Sequence, residues 1–241
     1  MGHNPSQSEH VHPNYDFHMP RLITFPIPAG IVSVLFATLL YFLLKDEQPT
    51  AASILAGVSI LLGLVYLGIF AMLKRITNLE RRLQDRDKLL DEIPWKGSEI
   101  VLDVGCGNGI LLLSAVKRLT IGKGIGVDIW AEGSGDNRPE AFRANARIEG
   151  VAERVTLQNE DARHLPYENE TFDVIISGLT MHHMKAETDK AMREMTRVLK
   201  PGGWMAIYDE PSTVFYCSKL MRQNGLRLEK KYANMVFGIK A

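Results

Sequence analysis

The chain has 241 residues, enough for one full domain of the usual 100 to 200 or so residues plus an extension. Lysine and arginine together number 28, as do aspartate and glutamate, and this balance gives no global argument for nucleic acid, whose partners usually show a basic face, so no nucleic acid is expected. The two cysteines, Cys106 and Cys217, lie far apart, so neither a disulfide framework nor a metal-ligand cluster is indicated and a reducing compartment fits.

Residues 1–21 carry His3, His10, His12 and His18 among Pro5, Ser6 and Pro13. That composition reads as a disordered histidine-rich tail, with metal binding as the alternative. No charged residue then occurs from Leu22 to Leu44, nor from Ala51 to Leu73. Each run reaches the roughly 20 residues that a helix needs to cross about 30 Å of hydrocarbon. Pro26 and Pro28 suit the first helical turn, so the first helix is expected near Pro28–Leu44. The polar turn "KDEQPT" joins the two runs into a predicted transmembrane hairpin over residues 22–73. A signal peptide would want a basic front and a small-residue cleavage site, and the histidine-rich front offers neither.

Orientation follows from the cations. Lys74, Arg75, Arg81, Arg82, Arg86 and Lys88 follow the second run, whereas the turn holds Lys45 beside Asp46 and Glu47. The positive-inside rule then places both termini, and everything after Leu73, in the cytoplasm of an integral membrane protein with two spans. Ser33 with Ala37, and Ser59 with Gly63, are small residues one turn apart that let helices approach. Residues 74–93 continue as a juxtamembrane helix whose stripe of Ile76, Leu79, Leu83, Leu90 and Ile93 is interrupted by Arg86. A solvated stalk is the expectation, with packing on its own domain, on lipid or on a second copy left open; the last would make a homo-oligomer. Pro94 ends the helix and opens the next domain.

From there strand-like runs alternate with helical ones over residues 94–241. "EIVLDVG", "GIGVDIW", "RVTLQNED", "FDVIISG" and "GGWMAIYD" read as strands, separated by "ILLLSAVKRLT", "RPEAFRANARIEG" and "KAMREMTRVLK" at helical period. A last helix near Val214–Asn224 precedes the strand pair "LRLEKKY" and "MVFGIKA". The alternation implies an α/β fold with a mostly parallel sheet covered on both faces. Ligands of such sheets bind beyond the carboxyl ends of the strands. There the first strand runs into Gly105, Gly107 and Gly109, and glycine is the residue that offers positive φ with no side chain in the way. A dinucleotide fingerprint would place its third glycine one position later, where Ile110 stands. Carboxylates follow at Asp103, Asp128 and Asp161, with Asp128 about 20 residues beyond the loop, where an acid can accept a ribose diol.

The series "VLDVGCGNG", "GVDIW", "NEDARHLPYENETFDVIIS" and "RVLKPGGWMAIYD" resembles the class I S-adenosylmethionine-dependent methyltransferases, in particular their quinone and small-molecule branch. The resemblance covers roughly Ile93 to Ala241. It implies a Rossmann-like, mostly parallel seven-stranded sheet with a C-terminal antiparallel strand pair, here preceded by the transmembrane hairpin. It further implies S-adenosyl-L-methionine as cofactor. Gly105, Gly107 and Gly109 would pass under the methionine moiety, Asp128 and Ile129 would take the ribose and adenine edge, and Asp161 with the backbone of Ala162 would read the adenine amino group. Asp103 would orient the loop and hold the cofactor's amino group, and Ser177 completes the expected cofactor set.

Methyl transfer from a sulfonium ion needs mainly alignment and water exclusion. A base is needed only when the acceptor must lose a proton, and His182 or His183 in "SGLTMHHM" is placed to supply one. No metal site is expected, since no further cysteine or histidine cluster follows. "WAEGSGDN" is either a lid over the ligand or an ordinary surface loop. Asp209 and Glu210 are either substrate contacts or a solvated strand end. The expected function is a membrane-anchored methyltransferase whose partners are the bilayer and a lipophilic small molecule such as a quinone precursor, lipid or thiol. A non-catalytic membrane adaptor that retains a cofactor-binding fold is the alternative.

Overall fold

The computed structural model describes residues 12–15, 26–76, 78–130 and 139–241. The chain divides into two compact units: Asp16–Arg82, and a second that combines Met1–Tyr15 with Leu83–Ala241.

The first unit holds helices α1 (Pro26–Leu44) and α2 (Pro49–Ile76). They pack closely where small residues allow it. Ala37 and Ala52 are buried, and a Cβ at Gly63 would lie 3.4 Å from Val34 Cγ2. Ser59, expected to help that approach, donates its hydroxyl to Leu55 O of its own helix at 2.9 Å. Leu35, Phe36, Leu39, Leu61, Leu62 and Leu67 are each more than half exposed, a continuous apolar surface that water does not suit. Among the described residues one helix is long and apolar enough to cross a membrane, the 24 residues Pro49–Met72; the apolar stretch found in α1, Val34–Leu44, is shorter.

The second unit begins within α3 (Leu79–Asp91). A seven-stranded sheet follows, with order β3-β2-β1-β4-β5-β7-β6. Its parallel strands are β1 (Ile100–Val104), β2 (Lys123–Asp128), β3 (Val155–Asn159), β4 (Phe172–Gly178) and β5 (Leu199–Tyr208). The pair β6 (Leu226–Lys231) and β7 (Met235–Lys240) closes the chain, with β7 antiparallel to both neighbours. Helices α4 (Ile110–Lys117), α5 (Pro139–Ile148), α7 (Thr188–Val198) and α8 (Pro211–Gln223) complete the unit, with the short α6 (Met181–Met184) after β4. The near-continuous apolar runs of β1 and β4 are explained by burial on both faces, and Val101, Leu102, Ile175 and Ile176 are fully buried. Strand order reverses between β1 and β4, so a crevice opens between their carboxyl ends.

Two expectations change. The helix predicted over residues 74–93 is broken: α2 ends at Ile76 and α3 starts at Leu79, where Asn78 Oδ1 accepts the Arg81 N–H at 3.1 Å as a cap. The end of α3 is no solvated stalk. Leu89 and Leu90 are fully buried, Trp95 Nε1 donates to Leu90 O at 2.8 Å, and Arg118 holds Asp91 at 2.6 Å. The histidine-rich tail lies outside the described residues except for His12–Tyr15, and there it is docked on the second unit. Tyr15 is 3% exposed, and its hydroxyl donates to Glu149 Oε1 at 3.0 Å.

Candidate active site

The crevice is walled by the loop after β1 and the turn after β4. Gly105, Gly107 and Gly109 all have positive φ, at 75°, 51° and 91°. At two of them the missing side chain makes room for the protein itself. A Cβ on Gly105 would stand 2.1 Å from Thr180 Oγ1, and one on Gly109 would stand 2.9 Å from Leu113. Gly105 therefore lets the β4 turn close onto the loop. Thr180 is turned onto Gly105 by Leu179, held at φ 54°, a conformation that costs a non-glycine residue about 1–2 kcal/mol. The Gly107 N–H donates to Asp128 Oδ2 at 2.7 Å and so fixes that carboxylate at the tip of β2.

Asp103 lies under the loop, 1% exposed. Its Oδ2 accepts the Leu112 N–H at 3.1 Å, while Oδ1 has no partner among the described residues. Burial, and then the nearby Asp128 charge, push its carboxyl up to about 8. Burial also raises the Asp128 carboxyl, against the pull of the Gly107 and Ile129 N–H groups. An orphaned acidic oxygen under the loop suits an added ammonium group, and a carboxylate at the β2 tip suits a diol. The donor set therefore fits S-adenosylmethionine.

Other expected cofactor residues are placed differently. Ser177 is fully buried and donates its hydroxyl to Val104 O at 2.8 Å; its side chain ties β4 to β1 instead of facing a ligand. Asp161 is engaged by the Arg163 guanidinium at 2.8 and 2.9 Å, and that bond holds its carboxyl below the usual range. Ala162 belongs to the core, which leaves only its backbone for recognition. Ile129 is 53% exposed beyond β2. The neighbouring indole N–H of Trp130 is buried without a partner among the described residues. The rest of "WAEGSGDN" lies outside them.

On the opposite wall the two histidines separate. His182 Nδ1 lies 2.8 Å from Asp209 Oδ1, and its backbone N–H donates to Asp209 Oδ2 at 3.2 Å. Asp209 also accepts the Glu210 N–H at 2.7 Å and is 1% exposed, so it is no solvated strand end. A buried carboxylate in this position holds the proton on Nδ1 and leaves Nε2 of His182 as an acceptor. His183 lies against His182 with ring centroids 3.9 Å apart and the rings tilted by 42°; burial and then the His182 charge hold its imidazole below the ordinary value. The partnership of Asp209 was missed in the sequence, although a carboxylate ending one strand and a histidine following its parallel neighbour are the signal that would have found it. No group of three or more metal-ligating side chains occurs among the described residues.

Comparison with known proteins gives the same domain. A family described as "Methyltransferase domain" matches residues 102–207. The methyltransferase GfsG of Streptomyces halstedii is 36% identical over 123 residues, 51% of this chain and 42% of that protein. A demethylmenaquinone methyltransferase of Lactobacillus johnsonii is 27% identical over 154 residues, 63% of this chain and 60% of that one. This chain spans about half the length of the curated relatives it matches. The crystal structure of a SAM dependent methyltransferase from Aquifex aeolicus superposes with a TM-score of 0.56 at 22% identity, over 71% of this chain and 98% of that one, and shows the shared fold. Residues 102–207, which hold the glycine loop, Asp128 and His182, are thus similar to a methyltransferase domain.

Proposed function

We propose that this chain, whose residues 102–207 are similar to a methyltransferase domain, is an S-adenosylmethionine-dependent methyltransferase that modifies a hydroxyl oxygen of a lipophilic small molecule beside a bilayer. The observation that carries the reading is the His182–Asp209 pair, 2.8 Å apart on the wall of the crevice facing the glycine loop. An acceptor that needs no deprotonation has no use for a histidine oriented by a buried carboxylate; a hydroxyl has. When bound, the cofactor supplies a methyl group already activated by a sulfonium centre. Asp103, Gly107 and Asp128 would hold it at the loop, and the Gly105–Thr180 contact keeps the two walls together. Nε2 of His182 would take the proton from the acceptor hydroxyl as that oxygen accepts the methyl group, and Asp209 would stabilise the imidazolium.

The lipophilic character of the acceptor is supported by the demethylmenaquinone methyltransferase among the relatives and by the apolar surface of α1 and α2. In this reading α1 and α2 form a two-span anchor with both flanks in the cytoplasm. A domain tethered to a bilayer meets any acceptor dissolved there at raised effective concentration. The test is incubation of the intact protein with methyl-labelled S-adenosylmethionine and total lipid extract, followed by identification of the labelled product. His182→Ala is expected to lower kcat by about 10²–10⁴-fold, the usual contribution of a general base, with cofactor affinity retained. A labelled product carrying its methyl on carbon, nitrogen or sulfur, or full turnover by His182→Ala, would overturn the hydroxyl assignment.

A further inference from the structure

We infer that Asn14 and Tyr15, which precede both apolar helices in the chain, belong to the cofactor site, and that Asn145 is the residue that positions them against its glycine loop. The proposal rests on the cofactor reading above and extends the site to a segment far from the methyltransferase domain in sequence.

The contacts are specific in their chemistry. Asn145 on α5 is 1% exposed. Its Oδ1 accepts the Asn14 N–H at 2.8 Å, and its Nδ2 donates to Asn14 O at 2.9 Å and to Asn108 O at 3.0 Å. One amide side chain thus pairs with both backbone groups of Asn14, as a neighbouring strand would, and uses its other hydrogen on the glycine loop. Aspartate lacks the donors for this and leucine lacks every polar atom. Asn108 returns a longer bond, 3.4 Å, from its own amide to Asn14 O. Next in the chain Tyr15 is sealed in, 3% exposed, with its hydroxyl on Glu149 Oε1; Glu149 Oε2 in turn takes Lys117 Nζ, at the end of α4, at 2.5 Å. The strap is therefore tied to α5, through Glu149 to α4, and to the glycine loop between β1 and α4.

Its connection with the cofactor is short. Asn108 stands between Gly107 and Gly109, and the Gly107 N–H is the donor that fixes Asp128. Glycines with positive φ are the most freely moving residues of an unsupported loop. Holding Asn108 O from one side and Asn108 Nδ2 from the other restricts Gly107, and through it the carboxylate that would meet the ribose. The strap acts by removing conformational freedom that binding would otherwise have to remove.

The experiment compares cofactor affinity of the intact protein with three variants by calorimetry: deletion of residues 1–15, Asn14→Pro, which removes the strap's N–H donor together with the Asn14 side chain, and Asn145→Asp. Asn14→Pro alters nothing in the core of the second unit and serves if the other two fail to fold. Each is expected to raise Kd for S-adenosylmethionine about tenfold, equivalent to about 1.4 kcal/mol, and to speed amide hydrogen exchange at Gly107 and Gly109. In turnover the loss should appear in KM for the cofactor more than in kcat. An unchanged Kd in Asn14→Pro with unchanged exchange in the loop would overturn the strap while leaving the cofactor reading intact. If the intact protein itself bound no S-adenosylmethionine, the cofactor reading would fail and the strap's role with it.

Discussion

At the scale of single residues, Asp103 is a carboxyl under electrostatic tension. Its carboxyl is pushed up to about 8 by burial and by Asp128, against about 3.9 in an unfolded chain. The folded state therefore keeps a proton that the unfolded state releases, so this group's contribution to stability is fullest below about pH 4 and is lost as pH rises toward 8. Asp103→Asn, which stays neutral, is expected to gain on the native protein by up to about 1.4 kcal/mol per pH unit across that window, measured by denaturant unfolding of the cofactor-free protein. The same variant should bind S-adenosylmethionine more weakly, because the oxygen left for the ammonium is replaced or reoriented. A stability difference independent of pH would remove the assignment. The places of Asp103 inside β1, of Asp128 at the end of β2 and of the glycines just after β1 follow from the strand pattern of the sequence. Thr180 filling Gly105, Ser177 turning into the sheet and Asp209 orienting His182 do not. Each depends on which strands lie side by side, and β1 meets β4 across the 73 positions of chain from Asp103 to its register partner Ile176.

At the scale of elements, the strands and helices of the second unit were readable because buried parallel strands are continuous apolar runs and covering helices keep their 3.6 period. The α3 helix was misread for a physical reason. Its apolar stripe is short and interrupted by Arg86, so its pattern resembled a solvated helix, yet the contacts that fix it come from the far end of the chain. Tyr208 donates its hydroxyl to Asp85 at 3.0 Å, Lys88 sits 4.2 Å over the Tyr232 ring, and Glu92 meets both Lys230 and Tyr232. Leu90→Ala in the full chain should therefore destabilise the second unit by about 2–5 kcal/mol, the usual cost of emptying a buried leucine site. A solvated helix would show a change within about 0.5 kcal/mol. Because Asp85 holds the tyrosine next to Asp209, loosening α3 should also lower turnover.

At the scale of the whole molecule, composition and hydropathy mark off the apolar helices from the α/β domain, but they assign the N-terminal residues to a tail. No local signal in "HPNY" marks it as docked, since Asn14 is held mainly through its backbone and the partners lie on α5 and the glycine loop. The membrane reading has a direct test. In sealed cells an impermeant thiol reagent should label a cysteine placed at Gln48, in the turn between α1 and α2, and spare one placed at Ser98; both positions are exposed, and the native Cys106 and Cys217 are buried and give little background. The reverse pattern would sink the orientation. The docked strap adds a constraint of parity. Tyr15 and Leu83 belong to one body, so the stretch Asp16–Arg82 is a path that leaves that body and returns to it, and such a path crosses any closed surface an even number of times. One crossing would leave Tyr15 and Glu149, joined by a hydrogen bond, on opposite faces of a bilayer. If Pro49–Met72 passes through a membrane while the strap is docked, the residues before it must pass through as well.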